Sequence, residues 1–256
     1  MIGRILGLTY GLFCYLAGVA ALVYLGLWLV DLVPNALDAP RSVPLGEALL
    51  IDVLLLLAFG LQHSGMARPG FKRVWTRIIP ASMERSTYVL ASGLATMALC
   101  WFWQPLGITL WRVDGGFAEA ALIAGYLFGW GVLLFATFCI DHFELFGLRQ
   151  VWLNAWQQPL VERGFMVRGL YHFVRHPIYL GWFLVVWISP VMTLSHFVFA
   201  LGLTLYTLKA IGWEERDLVA ALPEYEDYRA RVPMVLPGVG TGSSDAAPAP
   251  LAQPQG

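Results

Sequence analysis

Charge is what this sequence has least of. Asp, Glu, Lys and Arg make up 13% of its 256 residues and the hydrophobic set makes up 58%, whereas soluble domains carry about 25% charge. A water-soluble globular domain is excluded. The net charge is −1, and lysines and arginines nowhere gather at the density needed to neutralise a phosphate backbone, which excludes nucleic acid as a partner. Cysteine is scarce too. Cys14, Cys100 and Cys139 stand far apart, each within an apolar run, so neither a disulfide framework nor a metal centre is expected. No GxGxxG follows a strand-like segment, which removes the sequence signature of a Rossmann-type nucleotide site.

What the chain has in abundance is long apolar runs. No charged residue occurs from Ile5 to Val30, and these 26 residues reach about 39 Å as a helix, enough to cross a hydrocarbon core of about 30 Å. Runs from about Val43 to His63, Ser86 to Trp103 and Ala118 to Ile140 each approach the ~20 residues of a crossing. A fifth, Ile178 to Trp213, has 36 residues and would make about 54 Å of helix, too long for one span. Pro190, which lacks an N–H and clashes with the preceding turn, predicts two arms with a bend near residues 189 to 195. The expected fold class is an all-α integral membrane protein with about four transmembrane helices and a C-terminal helical hairpin. Residues 1–140 form the N-terminal helices, 141–237 the loop, hairpin and polar C-terminal segment, and 238–256 (GVGTGSSDAAPAPLAQPQG) a disordered tail, too poor in bulky apolar side chains to offset its ordering entropy.

The basic residues predict sidedness. Short loops rich in Lys and Arg stay in the cytoplasm, and 14 of the 16 basic residues fall in Arg4, the 68–85 loop, the 149–175 loop and the segment from Lys209 onward. Only Arg41 and Arg112 are left for the outer side. This alternation holds only if Ile178 to Trp213 is a hairpin. Trp28, Trp101, Trp103 and Trp111 are expected at the outer interface, and Trp75, Trp152, Trp156 and Trp213 at the inner one.

A hairpin also has a chemical consequence. It returns Glu214-Glu215 to Arg175-His176-Pro177 and Tyr179, bringing cation donors, an imidazole, a phenol and two carboxylates together at one mouth. A ligand with an amine, a carboxylate and a ribose would use all of these. Pro177 suits the first turn of a helix, where its missing N–H costs nothing. Taken alone, Glu214 and Glu215 are also readable as charged flanks that anchor a helix end.

The order GLYHFVRHPIYLGWF, an apolar hairpin, EERDL, Tyr225, Tyr228 and RVPMVLP resembles the isoprenylcysteine carboxyl methyltransferase superfamily over roughly residues 163–237. Upstream, LQHSGMARPGFKR, ERSTYVL and TFCIDHFELFGLRQVW resemble its bacterial methanethiol S-methyltransferase branch and NnrU-like relatives. The resemblance implies a membrane methyltransferase of the bacterial inner membrane that uses S-adenosylmethionine without a Rossmann domain, its active-site cap facing the cytoplasm. It places Tyr171, Arg175, His176, Pro177 and Tyr179 on one side of the cofactor and Glu214 and Glu215 on the other, with backbone of Phe165 to Val167 contributing. Prenylcysteine enzymes tend to carry an arginine shortly before the glutamates, where this chain has Ile211-Gly212-Trp213, which argues against a prenylcysteine substrate.

The implied reaction converts methanethiol, a small thiol, to dimethyl sulfide. Two alternatives stay open: a prenylcysteine or lipid acceptor with the same cofactor, and an NnrU-like accessory protein without turnover. A thiol attacks as thiolate and is largely protonated at neutral pH, so a nearby cation or base would help. His142 and Arg149, in a run dense with polar groups (Asp141, Glu144, Gln150), are the expected catalytic pair in a small closed pocket, with His63 as a further candidate. His172 is expected to be solvated and His196 structural, while Asp52, inside the second span, is a functional suspect whose position near the outer boundary also permits snorkelling.

Overall fold

The computed structural model describes residues 2–40, 42–161 and 164–238. All of the expected tail except Gly238 lies outside the described residues. In chain order the elements are α1 (Ile2–Leu29), α2 (Leu45–Ala67), α3 (Pro69–Trp75), α4 (Ala81–Phe102), β1 (Thr109–Arg112), α5 (Gly116–Ile140), α6 (His142–Leu145), α7 (Leu148–Ala155), α8 (Pro177–Trp187), β2 (Val191–Thr193), α9 (Leu194–Ala221) and α10 (Glu224–Arg231). Helices α1, α2, α5 and α9 are long and apolar enough to cross a membrane. The protein is an all-α integral membrane protein. Helix α4, with 22 residues, is one residue shorter than α2 but opens on Ser82, Glu84, Arg85 and Ser86, and it packs against both α1 and α2.

The hairpin forms, with arms of unequal length. Helix α8 has only 11 residues, about 16 Å of rise and half of a bilayer core. Extended backbone around Ile188 and the β2 strand complete the turn before α9 begins with Thr193 as its N-cap, whose side chain accepts from His196 N at 3.1 Å. Helix α8 lies close along α5 through two glycines. A Cβ on Gly181 would stand 2.7 Å from Leu133 N, and one on Gly129 would stand 2.9 Å from Val185 N, so both helices need a bare backbone there.

One end of the bundle is closed by a small antiparallel ribbon, β1 with β2, that no sequence signal announced. Three expectations about this end are corrected. Asp52 does not snorkel: it is fully buried and accepts from Gln104 N at 2.8 Å, tying α2 to the end of α4. Trp28 and Trp103 are not interfacial. They are 0% and 5% exposed and pack edge-on with Phe199 and with each other, at centroid distances of 5.3 to 5.8 Å, as the centre of the apolar core. Trp101 and Trp111 do stand exposed, as expected.

The opposite end gathers the polar segments. Gly147, with φ +83°, turns α6 into α7 directly against α4, where its carbonyl accepts from Ser86 Oγ at 3.1 Å. A side chain there would be strained by the backbone and would strike Ser86 N at 2.6 Å. Helix α10 folds under the bundle, with Tyr228 donating to the Tyr171 carbonyl at 2.7 Å.

Candidate active site

Tertiary structure brings the RHP turn and the two glutamates together at the polar end. Pro177 opens α8 at its first turn, with His176 as N-cap, and the backbone just before it is pinned by Arg175 N to Pro233 O at 2.9 Å and His176 N to Met234 O at 3.0 Å. Glu214 lies 20 residues along α9 from Leu194, about 30 Å of helix, which carries it back to the same level. Arg175 Nε donates to Glu215 Oε1 at 2.8 Å, and His176 Nε2 lies 3.0 Å from the same oxygen. The Arg175 guanidinium also donates to the carbonyls of Arg229 and Val232 at 2.8 and 2.6 Å. Tyr179 donates to Glu214 Oε2 at 2.8 Å.

The two glutamates therefore have different duties. Glu215, with a side chain 12% exposed, is consumed by Arg175, His176 and the Tyr225 hydroxyl, and ties the RHP turn and α10 to α9. Glu214, 41% exposed, lines the large cavity beneath. Burial pushes the phenols of Tyr171, Tyr225 and Tyr228 up from their ordinary values, with the charge of Glu214 adding at Tyr171 and that of Glu215 at Tyr225. All three are neutral hydrogen-bond donors at physiological pH.

That cavity, about 1100 Å³, runs from the polar end into the bundle. Of the residues expected from sequence, Tyr171, Arg175, His176, Tyr179 and Glu214 line it, as do Phe165, Met166 and Val167, while Pro177 and Glu215 stand behind them. Across from this rim, α2 and α4 present His63, Arg85, Tyr88 and Ser92. His63 is hydrogen bonded to the Tyr88 hydroxyl at 2.9 Å and to Ser92 Oγ at 3.0 Å, and stacks on Phe59. The Arg85 guanidinium lies 4.8 Å over the Tyr88 ring. Arg85 and Tyr88 were legible only as part of a motif, and Ser92, two residues beyond it, was not singled out. Their spacing of three and four puts them on one face of a helix, a signal that exists in ERSTYVLAS but does not say what the face looks at.

His142 and Arg149 sit differently from the expectation of a small closed pocket. His142 is 5% exposed inside a cage of Tyr15, Phe138 and Phe146, bonded to Thr137 Oγ1 at 2.8 Å and to the Tyr15 hydroxyl at 3.0 Å. Burial holds its pKa below the ordinary imidazole value against the opposing charge of Asp141. Arg149 pairs with Glu144 and lies 3.7 Å from Asp141. It is Asp141, Glu144 and Gln150 that reach the large cavity, while the described lining includes neither His142 nor Arg149. His196 is buried and bonded to the Val186 carbonyl at 2.9 Å, and His172 is exposed, both as expected.

A helical membrane protein with a polar-rimmed cavity open to one end is the class that fold and site define. Among known proteins, the chain is 47% identical to a methanethiol S-methyltransferase of Crocosphaera subtropica over 94% of its own length and 96% of that protein. It is 46% identical to one of Mycobacterium tuberculosis over 91% and 97%, and 29% identical to Nurim of Danio rerio over 70% and 68%. No family model matches, and no solved structure matches. The chain belongs to the methanethiol S-methyltransferase family. It is a methyltransferase, which implies a methyl donor.

Proposed function

We propose that the protein transfers a methyl group from S-adenosylmethionine to methanethiol, releasing dimethyl sulfide, at the cavity between the RHP–glutamate rim and the α2–α4 wall. The observation that carries this reading is that one cavity is walled by both constellations in a chain so similar to enzymes bearing that name. The residues fit the donor. Glu214 offers a carboxylate to an amine or to ribose hydroxyls, Arg175 and His176 offer donors to a carboxylate, and Phe165 with the tyrosines offers aromatic faces. When bound, S-adenosylmethionine supplies an electrophilic methyl group on a sulfonium whose positive charge vanishes as the methyl leaves. The rim residues hold and orient, which is where most of the acceleration of an in-line displacement arises.

The opposite wall serves the thiol. Arg85 favours the thiolate by its charge, and His63, with Nε2 bonded to the Tyr88 hydroxyl and Nδ1 to Ser92 Oγ, positions those two hydroxyls at the wall. Arg149 acts through Glu144 and Asp141, which it holds at the cavity wall, and His142 fixes the turn that delivers them. The apolar depth of the cavity, lined by Leu25, Phe59, Val186 and Phe199, excludes water from the reacting sulfur. The distribution of basic residues supports a cytoplasmic opening, and the bacterial relatives support a bacterial inner membrane. The test is the full chain in detergent with labelled methyl donor and headspace analysis. Dimethyl sulfide should form when methanethiol is supplied, whereas methylation of a prenylcysteine analogue with no dimethyl sulfide would overturn the acceptor.

A further inference from the structure

A second cavity, about 890 Å³, lies between α2 and α9 on the outside of the bundle. We propose that it holds one anionic phospholipid, an acyl chain along the groove and the phosphate at Lys209 and Arg216. The walls are two helical stripes of the same polarity. On α2 the lining runs from Val53 through Leu57, Leu61 and Ser64 to the C-cap Arg68, and on α9 from Val198 through Leu201, Leu205, Lys209 and Trp213 to Arg216. Steps of three and four keep each set on one face. Val53 and Arg68 are 15 positions apart, about 22 Å of helix, longer than the ~15 Å depth of one leaflet's hydrocarbon, and the basic end of the groove suits the headgroup level.

The charge at that end is complementary to a phosphate. Arg68, Lys209 and Arg216 line the groove against one carboxylate, Asp217. Asp217 is paired with Arg68 at 2.8 Å, so the excess positive charge belongs to Lys209 and Arg216, both exposed. Lys209 Nζ stands 5.6 Å over the ring of Trp213, a residue type that seeks the headgroup level. A helix from a second copy fits less well. Of the three glycines that line the groove only Gly65 is open, and the other two are spent inside: a Cβ on Gly60 would lie 3.0 Å from the Tyr206 ring and one on Gly202 would lie 2.5 Å from Leu56. Those glycines close α2 onto α9 as the floor of the groove. Ser64, Arg68, Tyr206 and Asp217 line this groove and the catalytic cavity alike, so the Ser64–Tyr206 bond at 2.9 Å and the Arg68–Asp217 pair form the partition that the lipid braces.

The experiment is native mass spectrometry of the full chain in neutral detergent, titrated with phosphatidylglycerol or phosphatidylcholine. One phosphatidylglycerol should be retained per chain, with phosphatidylcholine held far more weakly and inorganic phosphate not competing. The double variant Lys209→Gln, Arg216→Gln should bind phosphatidylglycerol more than tenfold more weakly, at about fivefold per cation. Leu205→Trp, at a position 60% exposed, should displace the lipid by filling the groove with the charges intact. Equal retention of the two lipids, or phosphatidylglycerol affinity unchanged in both variants, would overturn the proposal. So would a lipid-free dimer, which would give the groove to a second copy.

Discussion

Arg175 Nε and Glu215 Oε1 lie 2.8 Å apart across 40 positions of sequence, and both side chains are nearly buried. A buried ion pair contributes little net stability, but removing one partner strands a charge. This contact divides the labour of the adjacent carboxylates, and the division can be measured.

Glu214→Gln should weaken S-adenosylmethionine binding at least tenfold, about 1.4 kcal/mol, with the thermal midpoint near that of wild type. Glu215→Ala should lower the midpoint by about 6 to 12 °C, corresponding to roughly 3 kcal/mol, because Arg175 loses its counter-charge. Calorimetric binding and thermal melts of both variants check this. Equal loss of affinity without any loss of stability at Glu215 would place both carboxylates on the ligand.

On the acceptor side, Arg85→Gln should reduce kcat/KM for methanethiol by about 100-fold while leaving the donor dissociation constant within twofold, and His63→Gln, which acts through Tyr88 and Ser92, should reduce it less. Arg149→Ala should act more mildly, since it reaches the cavity through Glu144. The methanethiol KM itself should be millimolar or higher, since two heavy atoms supply at most about 3 kcal/mol. An alkaline rise in kcat/KM that Arg85→Gln shifts to higher pH would tie the loss to thiolate stabilisation.

At the other end of the bundle, burial and the neighbouring charge of Asp31 raise the Asp38 pKa to about 7, against the hydrogen bond from Thr193 and the charge of Arg112. The folded state then holds a proton that the unfolded chain releases above about 4, so stability falls as pH rises from about 4 to 7. Asp38→Asn should match wild type in thermal midpoint at pH 4 and exceed it by about 2 to 4 °C at pH 8. Parallel melting curves at both pH values would remove Asp38 as the cause.

Reporter fusions at Leu153 and Leu236 should report the same, cytoplasmic side, because α7 and the segment after α10 lie at one end of the bundle with most of the Lys and Arg. Opposite signals would break the link between the hairpin and the shared rim.

Much of the architecture was legible in one dimension, because crossing a bilayer demands runs of apolar residues of a length that can simply be counted. The break after Ile188 was legible for a similar reason, since Pro190 acts on its own backbone whatever surrounds it. The pairing of the RHP turn with the glutamates followed from the hairpin's two arms. What a run of letters does not carry is the direction in which each side chain looks. Trp28 and Trp103 share a residue type with the exposed Trp101 yet pack in the core, and Asp52 finds the Gln104 amide instead of water. In the sequence, the density of polar neighbours favoured His142 over His63. Packing decided between them, enclosing one in aromatic rings and turning the other toward the cavity, because helix rotation and close approach at Gly147, Gly129 and Gly181 are set by contacts between segments far apart in the chain.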